Sequence, residues 1–120
     1  MTLTRLNPGP RMSEAVTVEQ TVYLAGQIPH SLTADITVQT REVLAEIDAV
    51  LAQLGCSKSD LVSMQVWLSD MADFAGMNMV WDAWVDSNNP PARATGGMAL
   101  ARPGMRVEMI AIAHLPVPSV

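Results

Sequence analysis

Apolar and polar residues follow regular patterns along most of the 120-residue chain. Two short β-prone runs, 12–18 and 21–25, are separated only by Glu19-Gln20, which predicts a hairpin. The run 61–69 alternates apolar with polar residues and predicts a third strand with one buried face. The residues expected on that face are Val62, Met64, Val66 and Leu68.

An amphipathic helix is predicted from Ile36 to Leu54, because apolar residues recur there at spacings of three and four positions. Thr33 or Asp35 can cap its start, and Gly55 can end it in a left-handed conformation. Acidic residues occupy the opposite side of this helix. We therefore expect one side to lie on a sheet and the other to face solvent.

A second amphipathic helix is predicted over 70–86, followed by two strands over 92–99 and 106–114. The cluster Asn7-Pro8-Gly9-Pro10 excludes regular structure in the N-terminal segment, and a turn at 102–104 joins the last two strands. The resulting order, β-β-α-β-α-β-β, predicts an α+β fold. Its mixed sheet carries two helices on one face.

The size of the chain is that of one domain, and we expect a single domain over residues 1–120. Apolar residues make up 49% of the sequence and charged residues only 16%. Because both helices cover the same sheet face, the other face needs a different cover. An interface between identical subunits is the simplest one, so the sequence predicts a homo-oligomer.

Charge and cysteine content exclude several classes of function. The net charge is −5 and the seven basic residues are scattered, which disfavours nucleic acid as the main ligand. Cys56 is the only cysteine, so no intrachain disulfide can form. The sequence has neither a signal-peptide core nor an apolar run long enough to cross a bilayer. We therefore expect a cytoplasmic protein that does not bind membranes.

The sequence contains no motif for a metal or a phosphate group. His30 and His114 are far apart, and Cys56 has no potential ligand close to it in sequence. Nucleophile-elbow and phosphate-loop motifs are also absent. We therefore expect no metal site.

Arg93 is the residue whose position most strongly indicates chemistry. It follows two prolines and opens a strand that otherwise consists of small residues. Burying an unpaired guanidinium is costly, so Arg93 must either form a salt bridge or point into a cleft. Its planar fork of N–H donors matches a carboxylate bidentately. From the residues alone, a salt bridge and a substrate carboxylate are equally good partners.

An ordered set of short segments resembles the RidA (YjgF) family, the reactive intermediate deaminases, over nearly the whole chain. No single segment is specific for this family, but the order and spacing of the whole set are. The matching segments are Tyr23-Leu24-Ala25-Gly26-Gln27-Ile28-Pro29, Gln39-Thr40, Leu68-Ser69-Asp70, Asp73-Phe74, Asn78, Pro91-Ala92-Arg93 and Val107-Glu108-Met109. The segments 11–13, 47–51 and 81–85 look closest to the YoaB-like branch of the family.

This resemblance implies a chorismate-mutase-like α+β subunit and a homotrimer with three pockets between subunits. It implies that Arg93 binds the carboxylate of a 2-imino or 2-oxo acid. The backbone of Ala25, Gly26 and Gln27 would line the pocket, and Asn78 would lie near it. The family reaction is the hydrolysis of enamines and imines to 2-oxo acids and ammonia, which requires no metal or organic cofactor.

The sequence departs from the family pattern at three positions that matter for the reaction. Ile110 occupies the position that the resemblance assigns to the general base, and Thr95 replaces a cysteine. Glu108 is retained on the same strand face as Ile110, but same-face neighbours lie ~7 Å apart. Arg11 replaces an aromatic wall of the pocket and adds a second cation. Carboxylate recognition survives these changes, whereas imine hydrolysis is expected to be slow or shifted in substrate.

Two other functions follow from the same observations. The absence of the expected base at Ile110 favours a non-catalytic protein that binds small carboxylates. Endoribonuclease activity is a label often attached to the family, but the acidic composition disfavours it.

Overall fold

The computed structural model describes residues 2–116, and these form six strands and two α-helices. The strands are β1 (Leu3–Leu6), β2 (Ala15–Val18), β3 (Thr21–Leu24), β4 (Leu61–Leu68), β5 (Ala92–Gly97) and β6 (Val107–His114). The helices are α1 (Ile36–Gln53) and α2 (Phe74–Trp84). Short 3₁₀ turns at Lys58–Asp60 and Met71–Asp73 precede β4 and α2.

All six strands belong to one sheet in the order β1-β2-β3-β6-β4-β5. Neighbouring strands are antiparallel except β4 and β5, which are parallel. The predicted α+β fold with a mixed sheet is therefore confirmed. Although β5 and β6 are consecutive in sequence, β4 lies between them. As a result, β5 has only β4 as a neighbour within residues 2–116 and forms one edge of the sheet.

The prediction of no regular structure in the N-terminal segment was wrong, because the segment contains strand β1. Asn7-Pro8-Gly9-Pro10 excludes regular structure only over the turn itself, and β1 precedes it and pairs antiparallel with β2. Three of the four residues of β1 are exposed, so the strand has no buried face. Because period-two burial is the sequence signal of a strand, β1 carries none.

Both helices pack on one face of the sheet, as predicted. Val22, Met64, Val66, Met109 and Ala111 point toward them and are almost completely buried. The opposite face remains open in the single chain. Its exposed or half-buried side chains include Tyr23, Val62, Trp67, Ile110 and Ile112.

An irregularity at the start of β4 changes which residue is buried. Val62 was expected on the covered face, but it is 53% exposed, while Leu61 is buried. The register with β6 shifts between Leu61 and Ser63, as in a β-bulge. Such an extra residue reverses the alternation at that end of the strand. The prediction for Val62 was therefore wrong, although Met64, Val66 and Leu68 are buried as expected.

The ends of α1 follow the sequence closely. Of the two predicted caps, Asp35 is the one used, and its carboxylate accepts a hydrogen bond from the Val38 N–H. Gly55 has a φ of 76°, the left-handed conformation predicted after the helix.

A buried amide on α1 joins two loops to the helix. The Gln39 side chain is fully buried, and its Nε2 donates to the carbonyl oxygens of Ser31 (3.2 Å), Ala34 (3.2 Å) and Gly104 (2.8 Å). Its Oε1 accepts from the Arg106 N–H at 2.8 Å. One side chain thus ties the β3–α1 loop and the β5–β6 connection to the core.

Replacing this amide by an isosteric apolar side chain is expected to destabilise the fold. Gln39→Leu removes the hydrogen-bond partner of the Arg106 N–H and of the Gly104 carbonyl at a fully buried position of α1. The free energy of unfolding in urea should fall by about 3 kcal/mol or more. Gln53→Leu, at the exposed C-terminal end of α1, loses only a solvent-exposed hydrogen bond from Asn7 Nδ2, so it serves as the control and should change the free energy of unfolding by less than ~0.5 kcal/mol. Equal effects of the two variants would show that the Gln39 hydrogen bonds contribute no net stability.

Candidate functional site

Arg93 is half-buried on the edge strand β5, on the sheet face that the helices cover. The register pairs it with Met64, which is buried on that face. Its guanidinium carbon lies 5.0 Å from the centroid of the Trp81 ring on α2. In the described part of the chain, ion pairs join His30 to Glu46 and Arg106 to Asp73. Neither involves Arg93, so the salt-bridge alternative has no partner among residues 2–116.

Two polar side chains lie on the same side of the sheet as Arg93. Thr95 is two residues further along β5 and shares its face, and Asn78 lies one turn before Trp81 on α2. Thr95 Oγ1 and Asn78 Oδ1 are shielded from solvent and make no hydrogen bond within residues 2–116. Because buried polar atoms are nearly always paired, these two oxygens are suited to bind a polar ligand.

The surface next to Arg93 is concave. A depression of about 260 Å³ is lined by the β5 residues Ala92, Arg93 and Ala94 and by the β4 residues Ser63, Met64 and Gln65. The small side chains on either side of Arg93 leave the backbone at this edge accessible. The side chains of Ser63, Gln65, Ala92 and Ala94 lie on the open face, so most of this lining is on the side of β5 opposite the guanidinium.

Glu108 forms a second part of the candidate site, in contact with Gly26. A Cβ added at position 26 would overlap the Glu108 carboxylate, and it would lie 3.1 Å from Glu108 Cδ. A larger residue at position 26 would require the Glu108 carboxylate to move. Glu108 is half-buried, and its carboxylate makes no hydrogen bond or ion pair with the residues that the structure describes. Burial therefore raises the pKa of its carboxyl group above the ordinary value of 4.5.

Hydrogen bonds hold the segment around Gly26 against two neighbouring parts of the sheet. Gln27 N–H donates to the Met109 carbonyl at 2.8 Å, and Met109 N–H donates back at 3.1 Å. The Ala25 N–H donates to the Glu14 carbonyl at 2.8 Å, and the buried Gln27 side chain donates to the Ala25 carbonyl. The position of the Gly26 backbone beside Glu108 is therefore fixed on both sides.

The two parts of the site lie on opposite faces of the sheet. Across β4, Arg93 aligns with Met64 and Ala111 on the helix-covered face. Glu108 aligns with Trp67 on the open face. A single chain therefore does not bring Glu108 to Arg93. The structure groups Arg93 with Asn78 and Thr95, and Glu108 with Ala25, Gly26 and Gln27.

Two further positions from the sequence analysis lie outside these groups. Arg11 is exposed in the β1–β2 loop and makes no hydrogen bond or ion pair within residues 2–116. Ile110 lies on the open face, two residues after Glu108 on β6, where its side chain is half-buried. The sequence analysis left Trp81 out of the site. The signal for it was its spacing of three residues from Asn78, which puts both on one side of α2.

Residues 2–116 contain no group of three or more His, Cys, Asp or Glu side chains arranged to hold a metal ion. No helix there is both long enough and apolar enough to cross a membrane.

Known proteins resemble this chain along most of its length. The family described as Endoribonuclease L-PSP matches residues 2–115. A RutC family protein of Haemophilus influenzae is 42% identical over 114 residues, which cover 94% of this chain and 98% of the relative. The RutC family protein YoaB of Escherichia coli is 40% identical over 113 residues, with the same coverage of both chains.

Solved structures also resemble the fold closely. A member of the YjgF protein family from Neisseria meningitidis superimposes with a TM-score of 0.95 at 39% identity, covering 98% of both chains. A member of the YjgF/YER057c/UK114 family from Mycobacterium tuberculosis superimposes with a TM-score of 0.84 at 26% identity. The latter alignment covers 95% of this chain and 100% of the mycobacterial chain.

Proposed function

The chain belongs to the endoribonuclease L-PSP family, the RidA (YjgF) group of proteins, and on this premise we propose that it hydrolyses small 2-imino acids and enamines to 2-oxo acids and ammonia. The observation that carries the proposal is the state of Arg93. Its guanidinium is half-buried, lies over the Trp81 ring, and has no carboxylate partner among residues 2–116. A guanidinium in this state is suited to bind the carboxylate of a small substrate bidentately.

The active site in this proposal lies between two subunits of a homotrimer. One subunit supplies Arg93, Asn78 and Thr95, and the neighbouring subunit supplies the Gly26 segment and Glu108. Two observations support this arrangement: the two groups lie on opposite faces of one sheet, and the open face carries exposed apolar side chains. Sedimentation equilibrium of the purified protein measures the subunit number directly.

The chemistry requires orientation of the substrate and a group that moves protons. With the carboxylate held by Arg93, water adds to C2 of the imino acid and gives a carbinolamine. A proton then moves from the added oxygen to nitrogen, the C–N bond breaks, and C2 becomes a carbonyl. The products are the 2-oxo acid and ammonia. We assign the proton transfer to Glu108, because it is the half-buried carboxylate nearest the Gly26 backbone and its pKa is raised.

With Glu108 as the proton-transfer group, the isoleucine at position 110 no longer implies weak hydrolysis. The sequence analysis placed the expected base at position 110 and therefore anticipated weak hydrolysis. The partial burial of Glu108 beside the Gly26 backbone supports the role of base for this residue, while Ile110 presents an apolar side chain on the open face. Catalysis in this proposal does not depend on a carboxylate at position 110.

The proposal is tested by measuring hydrolysis of 2-iminobutanoate generated in situ by an amino acid oxidase. Wild-type protein should increase the rate of ammonia or 2-oxobutanoate formation above the buffer rate, in proportion to its concentration. A rate equal to that of buffer would refute the deaminase proposal. If calorimetry then detected binding of 2-oxobutanoate, the protein would be a non-catalytic carboxylate binder.

Endoribonuclease activity, which the family description names, is a weaker proposal for this chain. The net charge of −5 and the scattered basic residues give little attraction for a phosphate backbone. RNA cleavage that is lost in Arg93→Ala, and that persists after removal of contaminating nucleases, would favour it.

A further inference from the structure

The indole of Trp81 lies against the guanidinium of Arg93 but has no role in the chemistry described above. Its ring centroid is 5.0 Å from the guanidinium carbon, within the range of a cation–π contact. Trp81 is only 6% exposed, so the ring is also part of the core. The contact can thus serve either packing alone or the placement of Arg93.

The type of contact determines which donors of Arg93 remain available. A salt bridge to Asp or Glu would occupy the N–H groups at the edge of the guanidinium. An aromatic ring beneath the cation, as Trp81 lies here, instead attracts it by a cation–π contact and engages none of its N–H groups in a salt bridge. Trp81 can therefore hold a half-buried cation in place without competing with a substrate carboxylate.

The ring of Trp81 is held in turn by a second tryptophan. The centroids of Trp81 and Trp84 are 5.6 Å apart, with an angle of 52° between the ring planes. Trp84 Nε1 donates to Asp48 Oδ2 of α1 at 3.0 Å. Lys58 donates to the Trp84 carbonyl, and its Nζ lies 5.4 Å from the Trp84 ring centroid. These contacts restrict the movement of Trp84, and through it that of Trp81.

We propose that Trp81 is a positioning residue, whose ring presents the edge of the Arg93 guanidinium to the substrate carboxylate. This inference rests on the proposed carboxylate-binding role of Arg93. It predicts that the effect of Trp81 on ligand binding operates through Arg93. A residue that served packing alone would affect stability without such coupling.

A double-mutant cycle on binding of 2-oxobutanoate, measured by calorimetry, tests the proposal. Trp81→Leu should raise Kd by about 5- to 30-fold, the range expected for a partly desolvated cation–π contact. Trp81→Phe retains an aromatic face and should stay within about threefold of wild type. In the Arg93→Ala background, Trp81→Leu should cause no further loss of affinity. If Trp81→Leu does not fold, Trp81→Met provides a flexible apolar replacement.

Val80→Ala is the matched control, because it removes buried apolar volume from the same helix next to Trp81. Its Kd should equal that of wild type. If Trp81→Leu binds as tightly as wild type, or loses affinity equally with and without Arg93, the positioning role is refuted while the proposed function stands. If wild type does not bind, or Arg93→Ala binds equally well, the proposed function fails and the positioning role fails with it.

Discussion

Arg93→Ala should lower kcat/KM for 2-iminobutanoate by about 10²- to 10³-fold, one of the two largest effects we expect in this protein. The substitution removes the two charge-assisted hydrogen bonds that would orient the substrate carboxylate. It breaks no ion pair within residues 2–116, and loss of the cation–π contact with Trp81 should lower the free energy of unfolding by only about 0.5–2 kcal/mol. Steady-state kinetics at several substrate concentrations, together with thermal unfolding, separates loss of recognition from loss of structure.

Two further variants make this result specific to the guanidinium. Arg93→Lys keeps the charge but loses the planar fork, so its kcat/KM should lie between those of wild type and Arg93→Ala. Arg102→Ala removes the same charge from an exposed position in the β5–β6 connection and should leave kcat/KM unchanged. A kcat/KM for Arg93→Ala within threefold of wild type would exclude Arg93 as the substrate clamp.

Most of the fold could be predicted from the sequence because its core elements carry strong periodic signals. The helix α1 has a continuous apolar stripe, an Asp35 cap and a left-handed Gly55, and all three were found where predicted. The strand β1 was missed because its side chains are mainly exposed and its stability comes from backbone pairing with β2. The bulge at Leu61 was missed because a shift in register leaves no trace in residue types.

The candidate site was less predictable, because its two parts depend on strand register and on the faces of the sheet. Residue type and small neighbours drew attention to Arg93 but left a salt bridge and a substrate carboxylate equally open, and only the family resemblance favoured the carboxylate. It could not show that Trp81 lies under the guanidinium, since that contact depends on how α2 crosses β5. The closeness of Glu108 to Gly26 arises from pairing between Gln27 and Met109, residues that are 82 positions apart (109 − 27).

Under the proposed function, these contacts allow another residue to act as the general base when position 110 is an isoleucine. A general base must lie near the substrate and have a suitable pKa, and its place in a sequence motif is secondary. Glu108 contacts the segment that would line the pocket, and burial raises its pKa. The sequence analysis considered the spacing along β6 but had no information on what surrounds each side chain.

Glu108→Gln should therefore lower kcat by about 10²- to 10⁴-fold, the usual cost of removing a general base. The ionised carboxylate is the active form of a base, so wild-type activity should fall as the pH falls through the Glu108 pKa. Because burial raises that pKa, the midpoint of the acid limb in kcat/KM should lie above 4.5, the ordinary glutamate value. The residual activity of Glu108→Gln should lack this limb.

Stability measurements distinguish loss of the base from damage to the fold. Because the pKa of Glu108 is higher in the folded state than in the unfolded chain, folding favours the protonated form of this carboxyl group. The folded wild type therefore loses stability relative to the unfolded chain as the pH rises from about 4.5 through the raised pKa. In Glu108→Gln, position 108 is neutral at every pH, so the variant does not lose stability in this way. Its Tm should therefore equal or exceed that of wild type at pH 7. The Tm difference should shrink at lower pH, where Glu108 is protonated in both states.

The kinetic outcome decides the role of Glu108. If Glu108→Gln keeps the wild-type kcat and the same acid limb in its pH profile, another group transfers the proton.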